Sequence, residues 1–149
     1  MKKIMFVCLG NICRSPMAEF IMKDLVNRAG RADSFQIASA AVSSEALGCP
    51  MDSRTVATLR AHRIPYENRR AQKLTEAMGK EYDLLIGMDE GNLARMRHIV
   101  RKEDLPKLHL LNEYSGIPHT IADPWYTGDF ETAFKEIRKG CRGLLDGLV

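Results

Sequence analysis

The sequence predicts an α/β protein, a three-layer sandwich in which a four-stranded parallel sheet lies between helices on both faces. Two observations support this class. Short apolar runs alternate with amphipathic stretches along the whole chain, and each apolar run is too short for a helix but long enough for a buried strand. Because crossovers between parallel strands are right-handed, this alternation places helices on both sides of the sheet.

Four short segments have the composition of buried strands. Lys3–Val7 is the first, and it is nearly all apolar with β-branched and aromatic residues. The other three predicted strands cover residues 35–38, 82–88 and 108–111. Their lengths match the strands of ordinary parallel sheets.

Apolar residues at helical spacing separate these strands. In the first predicted helix Ser15 fits the N-cap, Pro16 the first turn and Gly30 the end. Asp89 fits the N-cap of a later helix. The predicted helices cover residues 16–30, 53–63, 74–80, 89–100 and 130–148. The stretch 43–50 is expected to be a loop.

Length and composition predict one domain, residues 1–149. The chain is 45% hydrophobic and 28% charged, with a formal net charge of +3. This charge is too small to indicate nucleic-acid binding, and no apolar run approaches the roughly 20 residues of a membrane span. The basic pair at residues 2–3 precedes too short an apolar stretch for a secretory signal, so we expect a cytoplasmic protein. We also expect a monomer or weak self-association.

The cysteine and histidine patterns give no indication of a metal or another cofactor. The four cysteines lack paired C-x-x-C spacing, and the four histidines are scattered. In a reducing compartment the cysteines are expected to be thiols. Cys49 and Cys141 are predicted to be structural, and Arg69 and Arg70 to be a solvated pair.

The segment from Cys8 to Ser15, C-L-G-N-I-C-R-S, carries the strongest chemical signal. It joins the first strand to the first helix, at the sheet edge where parallel folds bind ligands. Its backbone N–H groups can surround an anion beside the positive end of the helix, and Arg14 adds a planar fork for two phosphate oxygens. Gly10 would allow close approach or a positive φ. A cysteine at a helix N-terminus beside a cation is commonly a thiolate at neutral pH, so Cys8 is the predicted nucleophile.

A second motif, D-P-W-Y, supplies the predicted proton donor. Asp123 would protonate the leaving group and then activate water to break the thiophosphate. Pro124 fixes the local backbone, and Trp125 and Tyr126 would form an apolar wall against a flat substrate. That wall would exclude water and help keep Asp123 protonated.

These motifs closely resemble those of the low-molecular-weight protein tyrosine phosphatases. The phosphate loop matches from Val7 to Glu19, the acid loop matches from Asp123 to Tyr126, and the resemblance covers essentially the whole chain. It implies strand order 2-1-3-4 and a metal-free phosphocysteine mechanism on phosphotyrosine proteins, without nucleic acid or membrane. The residues implied to contact the substrate are Leu9, Gly10, Asn11, Ile12, Cys13, Ser15, Trp125 and Tyr126.

The resemblance also implies supporting roles. Asn11 and Ser15 would shape the loop with Ser39 behind them, and Asp89 would lie next to the site, although it could equally be only an N-cap. Cys13 is either a packed thiol or a resolving thiol that forms a reversible disulfide with Cys8.

Two departures from the family pattern bear on specificity and rate. Glu45 stands where relatives often carry an aromatic residue, and the segment 68–71 lacks the H-x-A-R histidine that would support Asn11.

Three alternative functions share parts of this motif. Thioredoxin-coupled arsenate reductases need further cysteines in the middle of the chain, and residues 82–92 contain none. A protein-arginine phosphatase carries threonine where this chain has Ile12. A catalytically silent phosphate-binding module would have lost Cys8, Arg14 or Asp123, and all three are present.

Overall fold

The computed structural model describes all residues 1–149 and confirms the predicted fold class. The four strands are β1 (Lys2–Cys8), β2 (Phe35–Ala41), β3 (Leu84–Gly87) and β4 (Leu108–Leu110). They form one parallel sheet in the order β2-β1-β3-β4. This is the expected 2-1-3-4 order, and it places β1 inside the sheet between β2 and β3.

Six helices connect and cover the strands. They are α1 (Arg14–Arg28), α2 (Ser53–Ala61), α3 (Glu76–Glu81), α4 (Glu90–Ile99), α5 (Pro124–Thr127) and α6 (Phe130–Leu148). Three short 3₁₀ segments lie at Ala32–Ser34, Lys102–Lys107 and Leu111–Tyr114. No helix is both long and apolar enough to cross a membrane.

Two apolar cores hold the layers together, one on each face of the sheet. On one face, side chains of α1 and α6 such as Met17 and Phe134 pack against Phe6 of β1. On the other face, Met96 of α4 packs with Leu85 of β3 and its neighbours. The named side chains are fully buried, which fixes β1 and β3 as a rigid base for the loops that follow them.

Helix α6 approaches the segment 111–114 too closely for larger side chains. A Cβ atom at Gly143 would lie 1.8 Å from the carbonyl oxygen of Tyr114, and one at Gly140 would lie 2.6 Å from Leu111. This contact could not be predicted from the sequence, because glycine inside a helix only weakens the helical pattern.

Helix α1 begins earlier than predicted. Its N-cap is Cys13, which makes no side-chain capping bond, so the prediction of Ser15 as N-cap was wrong. Ser15 lies inside the first turn and its hydroxyl is directed at Cys8 instead. Gly30 does follow the end of the helix and adopts a left-handed φ of 70°, as its position predicted.

Candidate active site

The predicted site residues meet at the carboxyl ends of β1 and β3. Cys8 is the last residue of β1, and Asp89 follows β3 after one residue. The chain segment that follows β4 reaches the same edge of the sheet, where the N–H of Ile121 donates to the carbonyl of Met88 at 3.1 Å. Chain connections leave β1 and β3 in opposite directions here, so a crevice forms between them.

The loop after β1 turns its carbonyl groups outward. The carbonyls of Cys8 and Leu9 each accept a hydrogen bond of 3.0 Å from the segment after β2. That of Ile12 accepts from the N-cap and first turn of α2 at 3.0 and 3.2 Å. The carbonyl of Asn11 accepts from the guanidinium of Arg69 at 2.7 Å. These bonds to surrounding elements fix the path of the loop.

The amide groups of the same loop remain available. The backbone N–H groups of residues 9–13 donate to no acceptor within the protein. Asn11 has a left-handed φ of 59°, whereas Gly10 does not, so the positive φ falls on the asparagine. A Cβ at Gly10 would make only ordinary contacts, at 3.6 Å and beyond. A ring of unpaired amides at the start of a helix is a binding site for an oxyanion.

The sulfur of Cys8 lies at the base of this loop and is held by Ser15. The Ser15 hydroxyl is 3.0 Å from the sulfur, and its backbone N–H donates to the same atom at 3.4 Å. Both residues are buried. Hydrogen-bond donors directed at a sulfur stabilise its thiolate form relative to the thiol.

Arg14 is anchored by one side of its guanidinium and free on the other. Only 2% of the residue is exposed. Its Nη1 donates to Asp89 at 2.7 Å and to the carbonyl of Ile121 at 2.8 Å, while its Nη2 is 3.4 Å from a carboxylate oxygen of Asp123. The buried Nε–H has no partner in the protein. Because a buried donor without a partner is costly, this group points to an anion as its partner.

Asp89 has both of the roles that the sequence left open. One carboxylate oxygen accepts from the backbone of Asn92 at 2.8 Å, and the Asn92 side chain accepts in return from Asp89, which completes a capping box on α4. The other oxygen holds Arg14. Asp89 therefore ties the position of Arg14 to the start of α4.

Asp123 caps the short helix α5, which the sequence did not predict. Its carboxylate accepts from the backbone of Trp125 at 3.1 Å, with Pro124 in the first turn and Gly128 ending the helix at a left-handed φ of 74°. This turn directs the carboxylate toward the Arg14 guanidinium at the mouth of the loop.

A cavity of about 320 Å³ opens above Cys8. Trp125 and Tyr126 line it from α5, and Ile12 lines it from the loop. These aromatic side chains are 53% and 76% exposed, and the guanidinium of Arg54 lies 5.5 Å from the Trp125 ring centroid. Most of the residues that line the cavity are apolar, which suits an aromatic ring.

Two further side chains line this cavity. Glu45 contributes its only acidic group besides Asp123. Cys49 is exposed on the cavity wall, so the prediction that it is a structural, packed thiol was wrong. Cys141 is fully buried against α1, as predicted.

Cys13, within the loop, packs against the apolar core and also lines the cavity. Burial, followed by the negative charge of Asp52, raises the pKa of its thiol to about 12. Cys13 is therefore protonated at neutral pH and does not compete with Cys8 as a nucleophile. No disulfide is present, and the resolving role of Cys13 stays a prediction.

Arg69 supports the loop where the sequence showed a missing histidine. Its guanidinium donates to the backbone carbonyl and to the side-chain oxygen of Asn11, and at 3.2 Å to the hydroxyl of Ser39. The prediction that Arg69 is solvated was wrong, whereas Arg70 is exposed as expected. No sequence signal separates the two arginines, because only the path of the chain turns one of them inward.

The structure contains no cluster of three or more His, Cys, Asp or Glu side chains arranged to hold a metal ion. The charged groups at the site are Arg14 with the carboxylates of Asp89 and Asp123, Arg69 behind the loop, and Glu45 on the cavity wall. The chemistry available is therefore anion binding beside a nucleophilic sulfur and a carboxylic acid.

The fold and the site together define a parallel α/β protein in which an anion-binding loop encloses a thiol. A family model described as "Low molecular weight phosphotyrosine protein phosphatase" matches residues 3–149. The human low molecular weight phosphotyrosine protein phosphatase is 35% identical, and the match covers 97% of this chain and 94% of the human one.

Two solved structures agree with this match. YfkJ from Bacillus subtilis has a TM-score of 0.95 at 33% identity, covering 99% of this chain and 94% of that one. The phosphatase from Streptococcus pyogenes has a TM-score of 0.88 at 38% identity, covering 100% and 94%. The chain belongs to the low molecular weight phosphotyrosine protein phosphatase family and is a protein-tyrosine-phosphatase, a hydrolase of phosphoric monoesters.

Proposed function

We propose that the protein hydrolyses phosphotyrosine in proteins through a phosphocysteine formed on Cys8, with Arg14 and Asp123 as the other catalytic groups. One observation carries this assignment. The buried Nε–H of Arg14 and the five loop amides have no partner in the protein, and they occur beside the sulfur of Cys8. A phosphoryl group is an anion that can accept from all of them at once.

In the first step the Cys8 thiolate attacks phosphorus, so that an S–P bond forms and the P–O bond to tyrosine breaks. The loop amides and Arg14 bind the three equatorial oxygens, whose charge the transition state must spread. Asp123 gives its proton to the departing tyrosine oxygen, which leaves as a neutral phenol. The acid then remains as a carboxylate beside Arg14.

In the second step Asp123 accepts a proton from water as the water oxygen attacks phosphorus. The S–P bond breaks and inorganic phosphate is released. The sulfur returns as a thiolate that is hydrogen-bonded to Ser15. The hydrogen bonds from Ser15 also make Cys8 a better leaving group, because they stabilise the negative sulfur.

The cavity supports an aromatic substrate. A phosphotyrosine side chain would place its phosphate among the loop amides and its ring between Ile12 and the α5 wall of Trp125 and Tyr126. Phosphoserine has no ring that could pack against these apolar walls. Leu9, Gly10, Asn11, Cys13 and Ser15 complete the proposed phosphate-binding loop.

The test compares wild type with Cys8→Ser on matched phosphotyrosine, phosphoserine and phosphoarginine peptides. Wild type should hydrolyse only the first efficiently, and rapid-quench mass spectrometry should trap a phosphate on the peptide that contains Cys8. Cys8→Ser should lose turnover, because a serine hydroxyl is not ionised there, and should still bind the phosphotyrosine peptide. Appreciable hydrolysis by this variant would exclude the sulfur as nucleophile, and preference for phosphoarginine would reassign the substrate.

We propose phosphotyrosine-containing proteins of the cytoplasm as the partners. The cytoplasmic location and the monomeric or weakly associating state stay predictions.

A further inference from the structure

Behind the phosphate loop lies a chain of hydrogen bonds whose direction can be worked out from its ends. At one end Glu19, which is buried, accepts from the hydroxyl of Ser39 at 2.6 Å. At the other end Arg69 donates to Asn11 and to Ser39. A carboxylate accepts and a guanidinium only donates, so both ends have a fixed polarity.

These ends determine which way the Asn11 amide points. Its side-chain oxygen faces two donors, the guanidinium of Arg69 and the backbone N–H of Gln72 at 3.1 Å. If the amide were turned over, its NH₂ group would face both of these donors. The NH₂ group therefore points the other way and donates to Ser15 at 2.7 Å and to Ser39 at 3.0 Å.

The direction then passes to the nucleophile. Ser15 accepts from Asn11, so the single proton of its hydroxyl is free to point elsewhere. The sulfur of Cys8 is 3.0 Å away, and the only other acceptor, the carbonyl of Ala40, is 3.4 Å away. The Ser15 proton consequently points at the sulfur, which favours the thiolate.

We propose that Arg69 is a positioning residue that, with the backbone N–H of Gln72 and the Ser39–Glu19 bond, holds the direction of this hydrogen-bond chain, so that Ser15 donates to the Cys8 sulfur. A group that can both donate and accept at this position, such as a glutamine or an imidazole, would no longer guarantee a donor to the Asn11 oxygen, and the backbone N–H of Gln72 would be the only fixed donor left there. Arginine does not lose its proton in proteins, so it always presents a donor to the Asn11 oxygen.

The charges around Arg69 agree with this role. Burial lowers the pKa of its guanidinium, while the negative charges of Glu19 and then Cys8 act in the opposite sense. The cation thus lies within electrostatic reach of the sulfur. The variants below leave unchanged the other titratable groups near Cys8, which are Arg14, Cys13, Asp89 and Asp123 in the site and Glu45, Cys49 and Tyr126 on the cavity wall.

The experiment compares Arg69→Lys with Arg69→Gln, and uses Arg70→Gln as the matched control. Arg70 is the exposed neighbour, and its guanidinium donates only to the carbonyl of Gly48. The readout is the rate at which iodoacetamide alkylates Cys8 between about pH 5 and 9, measured by peptide mass spectrometry so that labelling of Cys49 is counted separately.

Arg69→Gln should move the midpoint of the Cys8 alkylation profile upward, so that labelling at about pH 6 slows by about tenfold, which is the scale of one charge-assisted hydrogen bond. The kcat for a phosphotyrosine peptide should fall by a similar factor with a smaller change in KM. Arg69→Lys, which also only donates, should remain close to wild type, as should Arg70→Gln.

The result that overturns the proposal is a Cys8 profile in Arg69→Gln that coincides with wild type, or a Lys variant as impaired as the Gln variant. Thermal melts restrict the comparison to folded protein, and the lysine variant decides the question if the glutamine variant fails to fold. Only the kcat measurement depends on the proposed function. Alkylation of Cys8 is measured without turnover, so failure of the phosphatase mechanism and failure of the Arg69 role give different results.

Discussion

The two halves of the active site are built in opposite ways. The phosphate loop is largely buried, and its polar groups are bonded to neighbouring elements except for the amides of residues 9–13 and the Nε–H of Arg14. The wall of α5 is a single short turn whose aromatic side chains are more than half exposed. The difference indicates that the two halves have different roles. A preorganised loop lowers the reaction barrier, whereas an adaptable wall accommodates different protein substrates.

The largest effect is expected in the loop, from Arg14→Lys. An ammonium group cannot keep the bonds to Asp89 and Ile121 while also presenting a planar fork to the phosphate. We expect kcat to fall by about a hundredfold or more, the scale of one lost oxyanion donor. Steady-state kinetics with a phosphotyrosine peptide would measure it, and near-normal turnover would contradict the preorganised role of the loop.

Asp123→Asn tests the one residue that links the wall to the chemistry. We expect a loss of about a hundredfold with alkyl or other poor leaving groups, because they need a proton as they depart. Activated aryl phosphates should be affected much less in the first step. A series of aryl phosphates of different leaving-group acidity measures this, and an equal loss across the series would exclude the acid role of Asp123.

The wall itself should change binding more than rate. Trp125→Ala removes one aromatic surface beside the substrate ring, a contact of about 0.5–1.5 kcal/mol, so KM should rise about two- to tenfold with kcat nearly unchanged. The same peptide assay serves, with inorganic phosphate as an inhibitor in parallel. A fall in kcat as large as that of Arg14→Lys would contradict the proposed difference, in which the loop sets the rate and the α5 wall sets substrate binding.

The smallest effect concerns the second cysteine of the loop. Burial, with the charge of Asp52, raises the pKa of Cys13 to about 12, so its neutral thiol should persist through the working range. Between about pH 6 and 9 iodoacetamide should label Cys8 and leave Cys13 essentially unlabelled, as read from peptide mass spectra. Labelling of Cys13 with a midpoint below about pH 9 would show that the loop opens to solvent.

The sequence alone determined the fold class, the strand order by resemblance, and the residues of the phosphate loop and acid turn. These features depend on local composition and on spacing within one short segment, since Cys8, Arg14 and Ser15 belong to a single strand–loop–helix unit. Periodicity also located the five longer helices to within a few residues.

Only the tertiary structure decided which polar residues support that unit. Arg69 and Arg70 are equivalent in the sequence, yet the chain turns one toward Asn11 and leaves the other in solvent. Likewise Cys49 lies on the cavity wall, beside residues that are distant from it in the sequence. The physical reason is that these contacts join residues far apart along the chain, so they depend on how whole elements pack and not on any local pattern.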